Sequence, residues 1–352
     1  MSELDPRLRP FDYALPEPQI ARHPPKSRDG GRLLLLGASQ RHDRQITDLA
    51  SCLSPGDLLV VNNTRVLAAR LAARRGTGGA VEVLLLSDAP GADGCVPAMV
   101  RPGRRLKAGE SLELLKDGVS IPGLSVVLSE RLPDGTWRVR PLPGPGAVMS
   151  EAGALPLPPY FRRDFEADDA WRYQTVFAGP PGAIAAPTAG LHLSEDILDA
   201  LDSRGVHRAH ITLHVGPGTF RNLRSADLDA GMLHQERFSV PVETAEAVNC
   251  ARAEGRRVVA VGTTSTRCLE SAAVDGMVQP GEGSTRLFIQ PGYRFSVVDR
   301  LLTNFHLPRS SLLMLACAFG GQERVMAAYQ HAITTGYRFY SYGDAMLMDC
   351  ER

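Results

Sequence analysis

The sequence predicts a mixed-sheet α/β protein that carries an inserted small antiparallel β-barrel, on three observations. After residue 155, short apolar runs alternate with helical patterns, the mark of an α/β unit. Residues 66–154 hold no long helical pattern and break into short apolar runs separated by Gly and Pro, the spacing of a small antiparallel barrel. Before residue 66 the runs again read as buried strands. The main unit is therefore expected to be discontinuous, 1–65 and 155–352, with 66–154 as the insert.

Each element follows from its local pattern. Leu33–Leu36 is a short all-apolar run suited to a buried strand, and DLLVV at 57–61 is a second, followed at once by Asn62-Asn63-Thr64-Arg65. Within the insert, AVEVLLL, SLELL, LSVVL and TWRVRPL read as strands. At 194–203, Ser194 is placed to cap a helix with acids in its first turn. ITLHV at 211–215 is strand-like, and 244–255 is helical with Gly255 as its stop. VVAV at 258–261 opens through Gly262-Thr263-Thr264-Ser265 into a helix, and SSLLMLACAFGG and QERVMAAYQHAITTG read as two more.

Composition narrows the function classes. The 352 residues exceed what one core usually supports, so two domains are expected. Basic and acidic residues balance at 39 each, so any nucleic-acid affinity must come from local patches. Candidate patches are Arg65, Arg70, Arg74 and Arg75, then Arg101, Arg104, Arg105 and Lys107, then Arg162 and Arg163. Taken singly, each reads as a solvated face; together they outline a basic stripe. Only Lys26, Lys107 and Lys116 are lysines, which restricts Schiff-base chemistry to those three. The six scattered cysteines form no C-x-x-C pair and read as reduced cytosolic thiols. The charged, Pro-rich N-terminus has no signal-peptide pattern, and no run nears the ~20 apolar residues of a membrane span. A soluble, cytoplasmic protein is expected.

Several turns carry polar residues of catalytic type. Gly262–Ser265 presents backbone N–H groups and hydroxyls at a helix start, which suits an anion, with Arg267 close by. The same turn serves equally as a plain strand–helix connection with an N-capping Thr or Ser. It is neither a P-loop nor a dinucleotide fingerprint. Thr188-Ala189-Gly190-Leu191-His192 is a tight small-residue turn, and a single His in such a turn is more often structural. His207, His210 and His214 do not match a metal spacing; on a strand, His210 and His214 share a face and His207 lies opposite, outside the run. His214 is followed by Gly216, Gly218, Thr219 and Phe220, a glycine loop off a strand end. His234 and Glu236 form an imidazole–carboxylate candidate. Asn304-Phe305-His306-Leu307-Pro308 and Tyr340-Ser341-Tyr342-Gly343-Asp344 are polar–aromatic turns of the kind that line pockets.

These motifs, in this order, resemble the S-adenosylmethionine:tRNA ribosyltransferase-isomerase family of queuosine biosynthesis. The likeness runs through GDLLVVNNTRVLAARL, LPLPPYFRR, RYQTVFAGPPGAIAAPTAGLHLSEDIL, HITLHVGPGTFRNLR, MLHQERFSV, RVVAVGTTSTRCLES, LFIQPGYRFSVVDRLLTNFHLPRSSLLMLACAFGG and GYRFYSYGDAMLM, nearly the whole chain. The resemblance implies an α/β domain with an inserted β-barrel. It implies transfer and isomerisation of the ribosyl part of S-adenosylmethionine onto 7-aminomethyl-7-deazaguanine at the wobble position of tRNA, releasing adenine and methionine. The expected partners are tRNA and S-adenosylmethionine as co-substrate, with no prosthetic group or metal, in a monomer.

Such chemistry needs a base beside the sulfonium and an acid for adenine, work that suits histidine. The candidates are His214 and His192 first, then His234 and His306, with Glu236 as an orienting or basic carboxylate. Thr263, Thr264, Ser265 and Arg267 are expected to hold the methionine carboxylate or another anion. Asn62, Thr64 and Arg65 are expected in the same cleft, with Thr188, Gly190, Gly216, Gly218, Thr219, Phe220, Asn304, Tyr342 and Asp344 as further contacts. Tyr160, Phe220 or Tyr342 would receive the flipped base. The competing readings are an S-adenosylmethionine-dependent RNA methyltransferase, which would release S-adenosylhomocysteine, and a non-catalytic RNA-binding protein.

Overall fold

The computed structural model describes residues 5–38, 40–103, 105–216, 218, 223 and 225–351. Two large sheets dominate. The nine-stranded sheet runs in the order Gly281–Leu287, Met232–Val240, His207–Leu213, Leu58–Asn62, Val258–Val261, Arg300–Asn304, Ala345–Asp349, Arg32–Leu36, Arg41–Gln45. Its middle four strands, from His207–Leu213 to Arg300–Asn304, are mutually parallel. Ala345–Asp349 runs against them and Arg32–Leu36 runs with Ala345–Asp349.

The all-apolar strands are buried because both faces are covered, the usual state of parallel sheet. Alternation divides their side chains between two cores. Leu58, Val60, Val258, Ala260 and Leu301 face one, shared with helices Val242–Ala253, Gly262–Ala272, Ser311–Gly320 and Gln322–Thr334. Leu59, Val61, Val259, Val261 and Leu302 face the other, which is closed by Glu195–Ser203 and Leu49–Cys52. The expected cap is present, with Ser194 Oγ accepting from the Ile197 amide at 3.3 Å. His207 belongs to its strand rather than lying outside the run, because its strand pairs with Leu58–Asn62 from His207 onward.

The second sheet is wholly antiparallel: Gly153–Ala154, Arg70–Arg75, Ala80–Leu85, Val96–Arg101, Trp137–Leu142, Val119–Arg131 and Ser111–Lys116. Arg70–Arg75 also pairs with Ser111–Lys116. A separate core, including Val83, Ala98, Leu112 and Val139, fills it. A short helix, Pro145–Ala152, packs Val148 and Met149 against that core. The sequence gives no clear sign of it, since Pro and two glycines dilute the helical pattern.

Candidate active site

Because the four central strands are parallel, their carboxyl ends at Leu213, Asn62, Val261 and Asn304 lie along one edge. The reversed strand brings its amino end, Ala345, to that edge beside Asn304. Over these ends lies a cleft of about 630 Å³ including its open mouth. Its walls are Ala185–Ala189, Val215, Gly262–Thr264, Thr303–Leu307, Leu312, Tyr340 and Ser341, with Tyr160. Gly262 joins strand to helix with φ +89°, a left-handed conformation only glycine adopts freely. The helix thus starts at the cleft, and Thr263 and Thr264 line it beside first-turn N–H groups that have no partner within the helix.

Two histidines sit in or against this wall, and both are buried. His306 lines the cleft, with Nε2 2.8 Å from Thr303 Oγ1. Its amide donates to Tyr329 Oη at 2.9 Å and its carbonyl accepts from the Tyr13 hydroxyl. Burial pushes its pKa down to about 3. His192 lines a smaller adjoining cavity and places Nε2 3.0 Å from Asn304 Nδ2. Asn304 Nδ2 also donates to the Tyr340 carbonyl at 3.0 Å, and a carbonyl can only accept. That fixes the amide, so His192 Nε2 accepts and the ring proton sits on Nδ1. Burial, then the charges of Arg28 and Arg338, push His192 down to about 4. Asn304 Oδ1 is buried with no hydrogen-bond partner among the described residues.

His214 is half-buried one residue before the cleft-lining Val215. Its Nδ1 lies 2.8 Å from Thr64 Oγ1, and burial followed by Arg237 lowers its pKa. Gly182, at φ +146°, leaves room for the ring, since a Cβ there would fall 2.6 Å from His214 Nδ1. Asn62 ties strand ends together. Its Oδ1 accepts from the Thr64 and Leu213 amides, and its Nδ2 donates to the Leu213 carbonyl and to Thr264 Oγ1.

Other expected residues sit outside the cleft wall. Asn62 and Thr64 stand behind it, and the exposed Arg65 donates to the Gly179 and Ala178 carbonyls. Ser265 is fully buried, and its hydroxyl donates to the carbonyl of Val261, the residue before the helix. Arg267 forms a buried ion pair with Glu236 while Nε donates to the Leu287 carbonyl, and its Nη2 is buried with no hydrogen-bond partner among the described residues. Glu236 accepts the Gly216 amide on its other oxygen at 2.8 Å and so anchors the start of the glycine loop. His234 is exposed, and Gly218 packs on its ring. Thr188 lines the cleft, whereas Gly190 packs against Phe177 and Thr175. Tyr342 stacks on Phe161 at 4.9 Å and donates to Asp169, an engagement that takes it out of use as a platform for a flipped base. Asp344 accepts from the amides of Arg32 and Arg338, and burial raises its pKa. Thr219 and Phe220 lie outside the described residues, as does Arg104.

Much of the expected basic stripe is neutralised in place. Arg70 pairs with Glu82, Arg74 with Glu113, Arg75 with Glu110, Arg162 with Glu17 and Arg163 with Asp169. Sequence reasoning missed Thr303 and Tyr329 as supports of His306. The turn expected to line a pocket does so through Tyr340 and Ser341, and Tyr340 stands at φ +73°, a strained state for a side-chain-bearing residue.

Fold and cleft define an α/β protein with a cleft across the carboxyl ends of parallel strands, the place where open sheets of this class bind ligands. The chain belongs to the queuosine biosynthesis protein family, whose model matches residues 8–348. It is 50% identical over 351 residues to an S-adenosylmethionine:tRNA ribosyltransferase-isomerase of Anaeromyxobacter dehalogenans (strain 2CP-C), covering 97% of this chain and 99% of that protein. It is 50% identical over 345 residues to a protein of the same name from Acidithiobacillus ferrooxidans, covering 96% of each. It is also similar to the crystal structure of an S-adenosylmethionine tRNA ribosyltransferase from Thermotoga maritima. There the TM-score is 0.54 at 35% identity, over 96% of this chain and 99% of that one.

Proposed function

We propose that this protein transfers and isomerises the ribosyl moiety of S-adenosylmethionine onto the aminomethyl group of 7-aminomethyl-7-deazaguanine in tRNA. The product is epoxyqueuosine-tRNA, and adenine and methionine leave. Relatives of that name match over nearly the full length of the chain, which favours this reading over a methyltransferase or a passive RNA binder. The observation that carries it at the site is a pair of buried imidazoles, His306 and His192, held neutral at the cleft. A sulfonium is a cation, and a neutral imidazole next to it adds no like charge.

In this reading His214 is the first choice of base for the proton beside sulfur. Thr64 occupies its Nδ1, and its Nε2 has no hydrogen-bond partner among the described residues. His306 and His192 border the space in which adenine departs. Thr263 and Thr264, at the helix start, receive the carboxylate of the co-substrate, while Glu236 and Arg267 hold the glycine loop in place from behind. Positioning of the two substrates supplies about 7–11 kcal/mol of the barrier reduction. We assign residues 66–154 to an inserted β-barrel domain, with 1–65 and 155–352 as the catalytic unit, and place the enzyme in the cytoplasm as a monomer.

The test is incubation with S-adenosylmethionine and tRNA bearing 7-aminomethyl-7-deazaguanine, followed by mass analysis of the nucleosides. Stoichiometric adenine and methionine are expected together with the enlarged nucleoside. S-adenosylhomocysteine in their place, or an unchanged base with folded protein, overturns the reading.

A further inference from the structure

Beside the main cleft lies a second cavity of about 250 Å³, lined by Pro24, Pro25, Arg28, Arg172, His192 and Tyr342 among others, and sharing Ser341 with the cleft. Arg172 is only 6% exposed, yet among the described residues it bonds only backbone carbonyls, those of Pro25 and Ser27. Arg28 likewise donates to the carbonyls of Gln174, Leu191 and Trp171. Neither guanidinium has a carboxylate in ion-pair contact among the described residues, because Asp169, the buried acid nearby, is consumed by Arg163 and Tyr342. Burial lowers the pKa of both and Arg172 adds to the effect on Arg28, while Glu195 on Arg28 and Asp168 and Asp29 on Arg172 oppose it without forming a contact ion pair, so neither guanidinium has its charge met at hydrogen-bond distance among the described residues.

Trp171, outside the lining of that cavity but beside its two arginines, is 54% exposed. Both guanidinium carbons lie near its ring, 5.8 Å for Arg28 and 5.0 Å for Arg172. An exposed indole flanked by unpaired arginines is the surface that single-stranded nucleic acid uses, base on the ring and phosphate on the forks.

We propose that Trp171, Arg28 and Arg172 form a nucleotide subsite that seats a residue of the RNA loop flanking the target base, its phosphodiester on the arginines and its base on the indole. The proposal rests on reading the substrate as tRNA. It deepens that reading by assigning a second grip, outside the reacting cleft, that holds the loop while one nucleotide is turned out of its stack.

The test uses the full-length protein and a synthetic anticodon stem-loop RNA with ordinary guanine at the wobble position, so binding is measured without turnover. Trp171→Ala is expected to raise the Kd for this RNA about ten-fold or more, the range of one lost base–aromatic stack. Trp171→Phe, which keeps a ring, stays close to wild type. Arg172→Gln lowers the slope of log Kd against log salt by about 0.7, one phosphate contact on a single strand. The KM for S-adenosylmethionine stays within about two-fold in the Trp171 variants. Wild-type protein that binds no RNA overturns both the tRNA reading and the subsite. Wild-type binding that Trp171→Ala leaves unaltered overturns the subsite alone. A raised KM for S-adenosylmethionine with unaltered RNA affinity assigns the arginines to the co-substrate's carboxylate and also overturns it.

Discussion

Gly182 and His214 meet so closely that the glycine is a condition of the histidine's position. A methyl group at Gly182 would fall 2.6 Å from His214 Nδ1 and 2.9 Å from Cγ, and the backbone there, at φ +146°, is strained for any other residue. The ring has to swing away, breaking its bond to Thr64 Oγ1. Gly182→Ala is expected to cut kcat by at least ten-fold while circular dichroism stays native, since small displacements of a reacting group cost far more in rate than in fold. Near-normal turnover in a folded Gly182→Ala protein removes His214 from the reaction. This dependence could not be read from the sequence, because it joins residues 182 and 214 through the meeting of two chain segments. What could be read was that His214 ends a strand and precedes glycines.

At the level of elements, the Gly262–Ala272 helix and the Met232–Val240 strand are fastened by Arg267 and Glu236. Their side chains are only 6% and 7% exposed. Glu236→Gln leaves an unpaired buried guanidinium and is expected to cost about 3–5 kcal/mol in denaturant unfolding, whereas Glu236→Met with Arg267→Met is close to neutral. A loss under about 1 kcal/mol for Glu236→Gln would mean that the pair is not desolvated as the burial indicates. In sequence, Arg267 reads as a cation near a phosphate-type turn, because one-dimensional spacing cannot tell which face of a helix it occupies relative to the sheet. The strands and helices themselves were readable. VVAV, DLLVV and RLLLL are apolar at every position because both faces are covered, and Ser194 and Gly255 mark helix ends by chemistry that needs no tertiary context. Pro145–Ala152 escaped because its stability comes from packing Val148 and Met149 on the second core rather than from local propensity.

For the whole molecule, the antiparallel sheet is joined to the rest through a narrow neck. Gly153–Ala154 pairs with Arg70 and Leu71, and Val66 and Leu155 pack in one apolar cluster with Phe161 and Tyr173, so chain enters and leaves at adjacent points. Replacing residues 67–152 by a short flexible linker is expected to leave a chain that unfolds in a single cooperative transition, because the two cores that flank the nine-stranded sheet draw none of their buried members from the removed segment. Loss of cooperative melting would show that the second sheet is an integral layer instead of an insert. The contrast between Gly-rich, turn-punctuated residues 66–154 and the helical patterns around them is what suggests such a division in the sequence.

The reversed Ala345–Asp349 strand has a consequence for mutational loss. Its direction carries residues 340–344 back to the reacting edge, where Tyr340 and Ser341 wall the cleft and the Tyr340 carbonyl steadies Asn304. A premature stop just before Tyr340 would therefore do more than shorten a tail: it would open the sheet between Arg300–Asn304 and Arg32–Leu36 and leave His192 without its tautomer-setting neighbour held in place. Frameshifts at or before codon 340 should for this reason behave as null alleles.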